Sequence, residues 1–290
     1  MAKLRPIRFL ASLPAVFSLL AIPALAHPGV GIVMDRQGNV FFTDLEQVWK
    51  IAPDGRKTVA VKDVHTHELS LDAEGNLYGE HVWYEGEKTN LWGRRVWRLG
   101  TDGKLADIIP ATQGFRKDYS FVRDAAGNMY WTLREGPLLV RRRSQDGTVT
   151  TMGKCASCRG GGWMAATADG TVLFLDQGDL RRMAPDGTLS TLAKHLGTRV
   201  MTQAQVGETH LVMGIWVDPA GNAYAAIYGA RQVKRISPKG KVEVVATSGF
   251  PWSPTGGLVA PNGDLWLLES SLTNATRVRR IGREGRERIY

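Results

Sequence analysis

One short pattern, an Asp followed three residues later by Gly-Asn, recurs along the chain and limits its fold more than any other feature. It stands at Asp35 to Asn39, Asp72 to Asn76, Asp124 to Asn128 and Asp218 to Asn222, with looser copies at Ala168 to Thr171 and Pro261 to Asp264. Each copy lies between two short runs of strand formers, such as GIVMD and VFFTD, or LSLD and NLYGE. A glycine closing a three-residue loop supplies a left-handed backbone position, so each copy predicts a β-hairpin. A second turn follows each first one, from Pro53-Asp54-Gly55 and Thr101-Asp102-Gly103 through to Arg283-Glu284-Gly285. Each unit therefore has four short strands. The first-turn glycines are spaced 37, 52, 43, 51 and 42 residues apart, which makes six units. This period predicts an all-β chain: a six-bladed β-propeller with four-stranded antiparallel blades. A single blade cannot bury both of its faces, so residues 27–290 are expected to form one domain. The order of the strands predicts a ring that closes by blade packing, with no strand exchanged between the termini.

The first 26 residues stand apart. Lys3, Arg5 and Arg8 precede the apolar run FLASLPAVFSLLAIPALA, which ends in Ala24-Leu25-Ala26. A basic start, an apolar middle and an A-x-A end predict a secretory signal peptide over residues 1–26. The run is short for a span and contains Pro14 and Pro23, so no transmembrane anchor is expected in the mature chain. A periplasmic or secreted location follows. The formal charge of +9 falls to +6 without the leader. An exported chain rarely meets nucleic acid, so nucleic acid is not an expected partner. The arginine pairs Arg94-Arg95, Arg181-Arg182 and Arg279-Arg280 read as solvated strand edges that resist aggregation. Cys155-Ala-Ser-Cys158 lacks a following His and is expected to form a local disulfide in an oxidising compartment. There is no G-x-S-x-G, no P-loop and no strong helical periodicity in the mature chain.

These turns, with their GN-hydrophobic-aromatic and PDG signatures, resemble NHL-repeat and SMP-30/gluconolactonase-like propellers, and also the streptogramin-lyase repeats. The resemblance covers residues 29–290. It implies a fold that hosts many activities. The NHL-type peptidylglycine lyase carries zinc-binding histidines just before its innermost strands. His67 matches such a position, while Val30, Tyr119, Gly162, Met213 and Thr255 fill the others. SMP-30-like lactonases carry a Glu on the first inner strand, where this chain has Gly31, so the lactonase site is not reproduced.

Blade two departs from its own repeat. Residues 65–81 read HTHELSLDAEGNLYGEH. Hairpin pairing of Asp72 with Asn76 predicts that Glu68 faces Glu80 and His67 faces His81, with His65 on the same side as His67. The positions equivalent to Glu68 and Glu80 hold Gly31 and Thr43, Ser120 and Thr132, Trp163 and Leu175, Gly214 and Ala226, and Gly256 and Leu268. Two opposed carboxylates need a cation, a shared proton or an arginine between them. One reading is a divalent metal on His65, His67 and His81 with a carboxylate from Glu68 or Glu80, zinc or another transition ion rather than calcium, with His27, His210, Asp44, Asp176 and Glu269 as alternative donors across the ring. The other is metal-free acid–base catalysis by Glu68, Glu80 and His81.

The insertion VWYEGEKTNLWGRR places Trp83, Tyr84 and Trp92 on the long-loop face, as a lid or pocket wall. Asp118 is expected opposite Arg134 as a rim salt bridge. These residues, with His210, Trp252 and Glu269, make up the expected ligand-contacting set. The expected function is a small-molecule hydrolase or lyase, or else a binding propeller for a peptide, glycan or partner protein.

Overall fold

The computed structural model describes residues 28–86, 88–114, 117–160, 162–197 and 212–290. Residues 1–26, where a signal peptide is expected, lie outside the described residues, as do His27 and His210. The strands form six separate antiparallel sheets, five of four strands and one of three, giving six blades in a ring. Blade one runs from Ile32 to Val61, blade two from Leu69 to Gln113 and blade six from Trp252 to Ile289. In blade three the innermost strand is reduced to the Arg123–Met129 bridge and the hydrogen bond from Tyr130 N–H to the Val122 carbonyl.

The repeated turns form as the sequence requires. Asp35 N–H donates to the Asn39 carbonyl, Gly38 N–H to the Asp35 carbonyl, and Gly38 has φ +80°. The Asp side chain does more than start the turn. Asp72, Asp124 and Asp218 each accept from the backbone N–H and the side-chain amide of the Asn four residues on. Each also accepts a tyrosine hydroxyl two residues further on, from Tyr78, Tyr130 and Tyr224. The Asp-x-x-Gly-Asn-x-Tyr unit is thus a brace that fixes register from within one hairpin.

The core consists of slabs between neighbouring blades. Val40, Phe42 and Ile51 of blade one pack on Trp266, Leu268 and Val278 of blade six. Similar apolar layers join blades one and two, three and four, four and five, and five and six. Among the described residues the junction of blades two and three has no such layer, and polar groups stand there instead.

The ring closes without strand exchange, since the blade-one and blade-six sheets share no strand. Glycine permits the close approach: a Cβ on Gly256 would lie 2.1 Å from the Val30 carbonyl oxygen, and one on Gly31 would lie 2.8 Å from Leu69 N. Gly214 meets the Thr255 carbonyl in the same way at 2.5 Å. These three glycines occupy the ring positions equivalent to Glu68, Ser120 and Trp163. Blades five, six and one therefore meet backbone to backbone, while blades two, three and four present side chains to the channel.

Candidate functional site

Glu68, Ser120 and Trp163 mark the open half of the ring. A central cavity of about 250 Å³ runs along the innermost strands, and Glu68, Val122, Trp163 and Met164 also line a second cavity of about 820 Å³. The larger one spreads over blades two to four on the long-loop face. Its wall includes Arg94, Tyr119, Trp131, Arg159, Leu175 and Gln177. Its size falls in the range that takes small-molecule ligands, roughly 300–1,000 Å³.

Glu68 is the titratable group at the junction of the two cavities. It stands immediately before Leu69, the last residue of the innermost ladder of blade two, which pairs with Gly79. It has no hydrogen bond or ion pair to another described residue. Burial, and then the neighbouring Glu80 carboxylate, push its pKa up to about 7, against the opposing pull of Arg94. It therefore changes protonation state near neutral pH.

Glu80 is held differently, although its strand position is equivalent. It is buried, accepts the His67 backbone N–H at 3.0 Å, and lies 3.6 Å from His67 Nδ1 and 3.8 Å from an Arg94 guanidinium nitrogen. Its carbonyl accepts from Thr66 Oγ1 and from Trp97 Nε1. Arg94 also lies over the Tyr119 ring at 5.3 Å, and Arg123 lies over the same ring at 5.6 Å. Burial raises the Tyr119 pKa, so its hydroxyl stays a donor at neutral pH. Two carboxylates, an arginine and a phenol thus converge where blades two and three meet. Proton transfer beside a fixed positive charge is the chemistry this arrangement can carry.

The histidines are arranged differently from the hairpin expectation. The innermost ladder of blade two ends at Leu69. Beyond it, His65 rather than His67 reaches His81: its backbone N–H donates to His81 Nδ1 at 2.9 Å, and its carbonyl accepts from Val82. His81 stacks on Trp83 with 5.6 Å between ring centroids. The His65 and His67 rings meet edge to face at 4.7 Å. Burial lowers the pKa of both His65 and His81.

Equivalent positions in other blades tie down the segment entering the blade. Asp176 accepts from the Arg159 and Gly160 backbones, and Glu269 accepts from Ser248 Oγ. His81 does the same for His65. Among the described residues no group of three or more His, Cys, Asp or Glu is placed to hold a metal ion. The suggested ring donors are engaged elsewhere. Asp44 bonds its own turn and Trp49, Asp176 also pairs with Arg181, and Glu269 is enclosed by Arg277 and Arg279.

Other expected contacts are rearranged. Asp118 pairs with Arg143 at 3.2 Å, whereas Arg134 donates to the Cys158 carbonyl. Plain alternation from the Gly256–Leu268 pair would set Thr255 opposite Glu269, but Thr255 is bulged out of the ladder and Glu269 faces Pro254. Trp252 lies under Arg277 at 4.2 Å. The blade-two insertion extends the hairpin of Leu77–Tyr84 with Trp92–Leu99, and its Tyr84 and Trp92 rings pack on each other at 4.8 Å. Trp83, Tyr84 and Trp92 line neither cavity. Cys155 and Cys158 form the expected disulfide. It closes the loop that leads into Arg159 and Gly160 at the wall of the large cavity.

The arginine pairs are not uniformly solvated edges. Strand alternation turns one member of a pair inward, so Arg94 is 8% exposed and Arg279 5%. Arg94, Tyr119, Arg123, Trp131 and Arg159 were absent from the sequence-based set. The glycine-versus-side-chain pattern at the six ring positions was the signal that pointed to their side of the ring.

No family model matches the chain, and no curated protein matches it in sequence. Solved structures do match its fold. A virginiamycin B lyase from Staphylococcus aureus is 14% identical with a TM-score of 0.53, over 91% of this chain and 84% of that one. A gluconolactonase from Xanthomonas campestris is 14% identical with a TM-score of 0.56, over 84% of each chain. The calcium-binding protein regucalcin from Agrobacterium tumefaciens is 17% identical with a TM-score of 0.50, over 84% and 82%. At these identities the likeness concerns backbone architecture. The chain shares the propeller fold of the streptogramin lyases and the SMP-30/gluconolactonase-like proteins.

Proposed function

We propose that this chain is an exported enzyme that acts on a small molecule by proton transfer, as a hydrolase or lyase, at the junction of blades two and three. The observation that carries the reading is Glu68: a carboxyl without a hydrogen-bond partner among the described residues, between two cavities, with its pKa pushed up to about 7. A carboxylate with a pKa near the working pH serves well as both proton acceptor and proton donor. In an elimination it would take a proton from carbon, the electron pair would move to expel the leaving group, and Glu68 would return the proton to that group. In a hydrolysis it would take the proton from attacking water. Arg94 would stabilise the negative charge that develops, and the Tyr119 hydroxyl would supply a donor. Burial, and then the neighbouring Glu80, keep the Glu68 proton affinity high.

The experiment is a screen of esters, lactones and elimination substrates against the purified protein and its Glu68→Gln variant. The expected loss for Gln is about 10²–10⁴-fold in kcat/KM, with the wild-type rate rising with pH through about 7. An activity that survives Glu68→Gln unchanged would sink the reading. A protein that binds ligands and turns over none would be the non-enzymatic binding propeller.

A divalent metal is the second reading, on the observation that the His65 and His67 rings lie 4.7 Å apart. Elemental analysis of the protein and of a His65→Ala/His67→Ala variant decides it. Stoichiometric metal lost in the variant supports a centre, and its absence after zinc, manganese or calcium reconstitution removes that reading.

A further inference from the structure

The large cavity is lined by rings on one side and carries one cation that no other described residue balances. Trp131, Trp163 and Tyr119 supply flat surface, and Met164 and Leu175 continue the apolar wall. The charges around them are mostly matched. Glu80 is met by Arg94 and the His67 N–H, and Asp176 by Arg181 and two backbone N–H groups. Arg159 differs. Asp176 anchors its backbone N–H at 2.9 Å, which holds its backbone at the wall. Its guanidinium is exposed and makes no ion pair with another described residue.

We propose that this cavity takes an amphipathic monoanion: a flat, apolar body of drug-like size against Trp163, with a carboxylate or similar group at Arg159. The proposal rests on the proton-transfer reading above for the role of Glu68, and names the substrate class of that site. A neutral ligand of the same shape would gain nothing from Arg159, whose donors would stay with water. A cationic ligand would bring its charge beside Arg159, while Glu68, the other group on this wall unpaired among the described residues, is drawn towards its neutral form by burial. An anionic group gains a bidentate partner whose only cost is leaving water. The ring surface gives area and orientation, since offset stacking on Trp and Tyr favours planar ligands.

The test is a binding titration of the purified protein, followed by its tryptophan fluorescence and by calorimetry. The probes are naphthoate, naphthylmethanol and naphthylmethylamine, which share one body and differ in charge. Naphthoate is expected to bind at least about ten-fold more tightly than the alcohol. Arg159→Gln should shrink that gap to within about three-fold, and Trp163→Ala should weaken naphthoate by about ten-fold. Thermal melting of both variants checks that they are folded. Equal binding of the three probes, a preference for the amine, indifference to Arg159→Gln, or no saturable binding below roughly 5 mM overturns the proposal. The titration needs no turnover. If Glu68→Gln leaves activity intact while naphthoate selectivity holds, the proton-transfer reading fails and the ligand class stands.

Discussion

The backbone N–H of His65 donates to Nδ1 of His81 across 2.9 Å. That bond assigns the imidazole. With Nδ1 accepting, the neutral ring carries its proton on Nε2. Burial, and then the nearby Arg95, lower its pKa below the ordinary 6.5. In the folded protein His81 is therefore expected to titrate below 6.5 in the Nε2–H tautomer, which nitrogen-detected NMR reads directly. The sign for stability follows. As pH falls below 6.5 the unfolded chain protonates first, so the stability held by the neutral ring is lost towards the folded pKa. A midpoint above 6.5, or an Nδ1–H tautomer, would contradict the bond.

Glu68 has the opposite linkage. Its folded pKa of about 7 lies above the ordinary 4.5, so the fold favours its protonated form. Relative to acid pH, stability should be lost as pH rises from 4.5 through 7. Gln imitates the protonated acid. Glu68→Gln is expected to be more stable than wild type by roughly 1–3 kcal/mol at pH 8 and indistinguishable from it at pH 4. Urea melts at the two pH values measure this, and a pH-independent difference would count against the raised pKa.

The seam between blades six and one depends on Gly256. A Cβ there would lie 2.1 Å from the Val30 carbonyl oxygen, which is backbone and cannot swing aside. Gly256→Ala is expected to cost about 1–3 kcal/mol, read as a lower denaturation midpoint. Ala at Gly249, where a Cβ meets nothing within 4 Å, serves as the control. Equal stability of the two variants would show that the blades can separate without penalty.

The Cys155–Cys158 link spans three residues of sequence. So short a loop restrains little of the unfolded chain, and chain-entropy arguments give about 2 kcal/mol. The paired Cys155→Ala/Cys158→Ala variant should fold and melt a few degrees lower. Because the loop runs on into Arg159, naphthoate affinity should fall with it. Unchanged affinity would separate the loop from the cavity wall.

The turns made the architecture legible because each blade repeats the same local chemistry. Asp72 and Asn76 fix their hairpin through side-chain bonds to the near backbone, and nothing remote can override them. The innermost register near Leu69 followed from that turn as far as the ladder lasts. It failed at the strand mouths. Thr255 bulges out, so Glu269 meets Pro254, and His65 takes the place expected for His67. Those departures are set by how adjacent blades approach, which no local pattern encodes. Arg94 was hidden for a related reason. Beside Arg95 it reads as surface charge, and only the true register shows that Arg94 points at Tyr119 while Arg95 pairs with Asp107. The contrast of Gly31, Gly214 and Gly256 with Glu68, Ser120 and Trp163 was present in the sequence. It shows which half of the ring stays open.

A ring that shares no strand across its seam is circular in space and linear in bonding. Blades one and six are neighbours that no covalent link within the described residues joins. Chain joined across that seam and cut between two other blades would keep every hairpin and every inter-blade layer. The order in which the blades are written along the gene is thus one of six equivalent ways to make the same object.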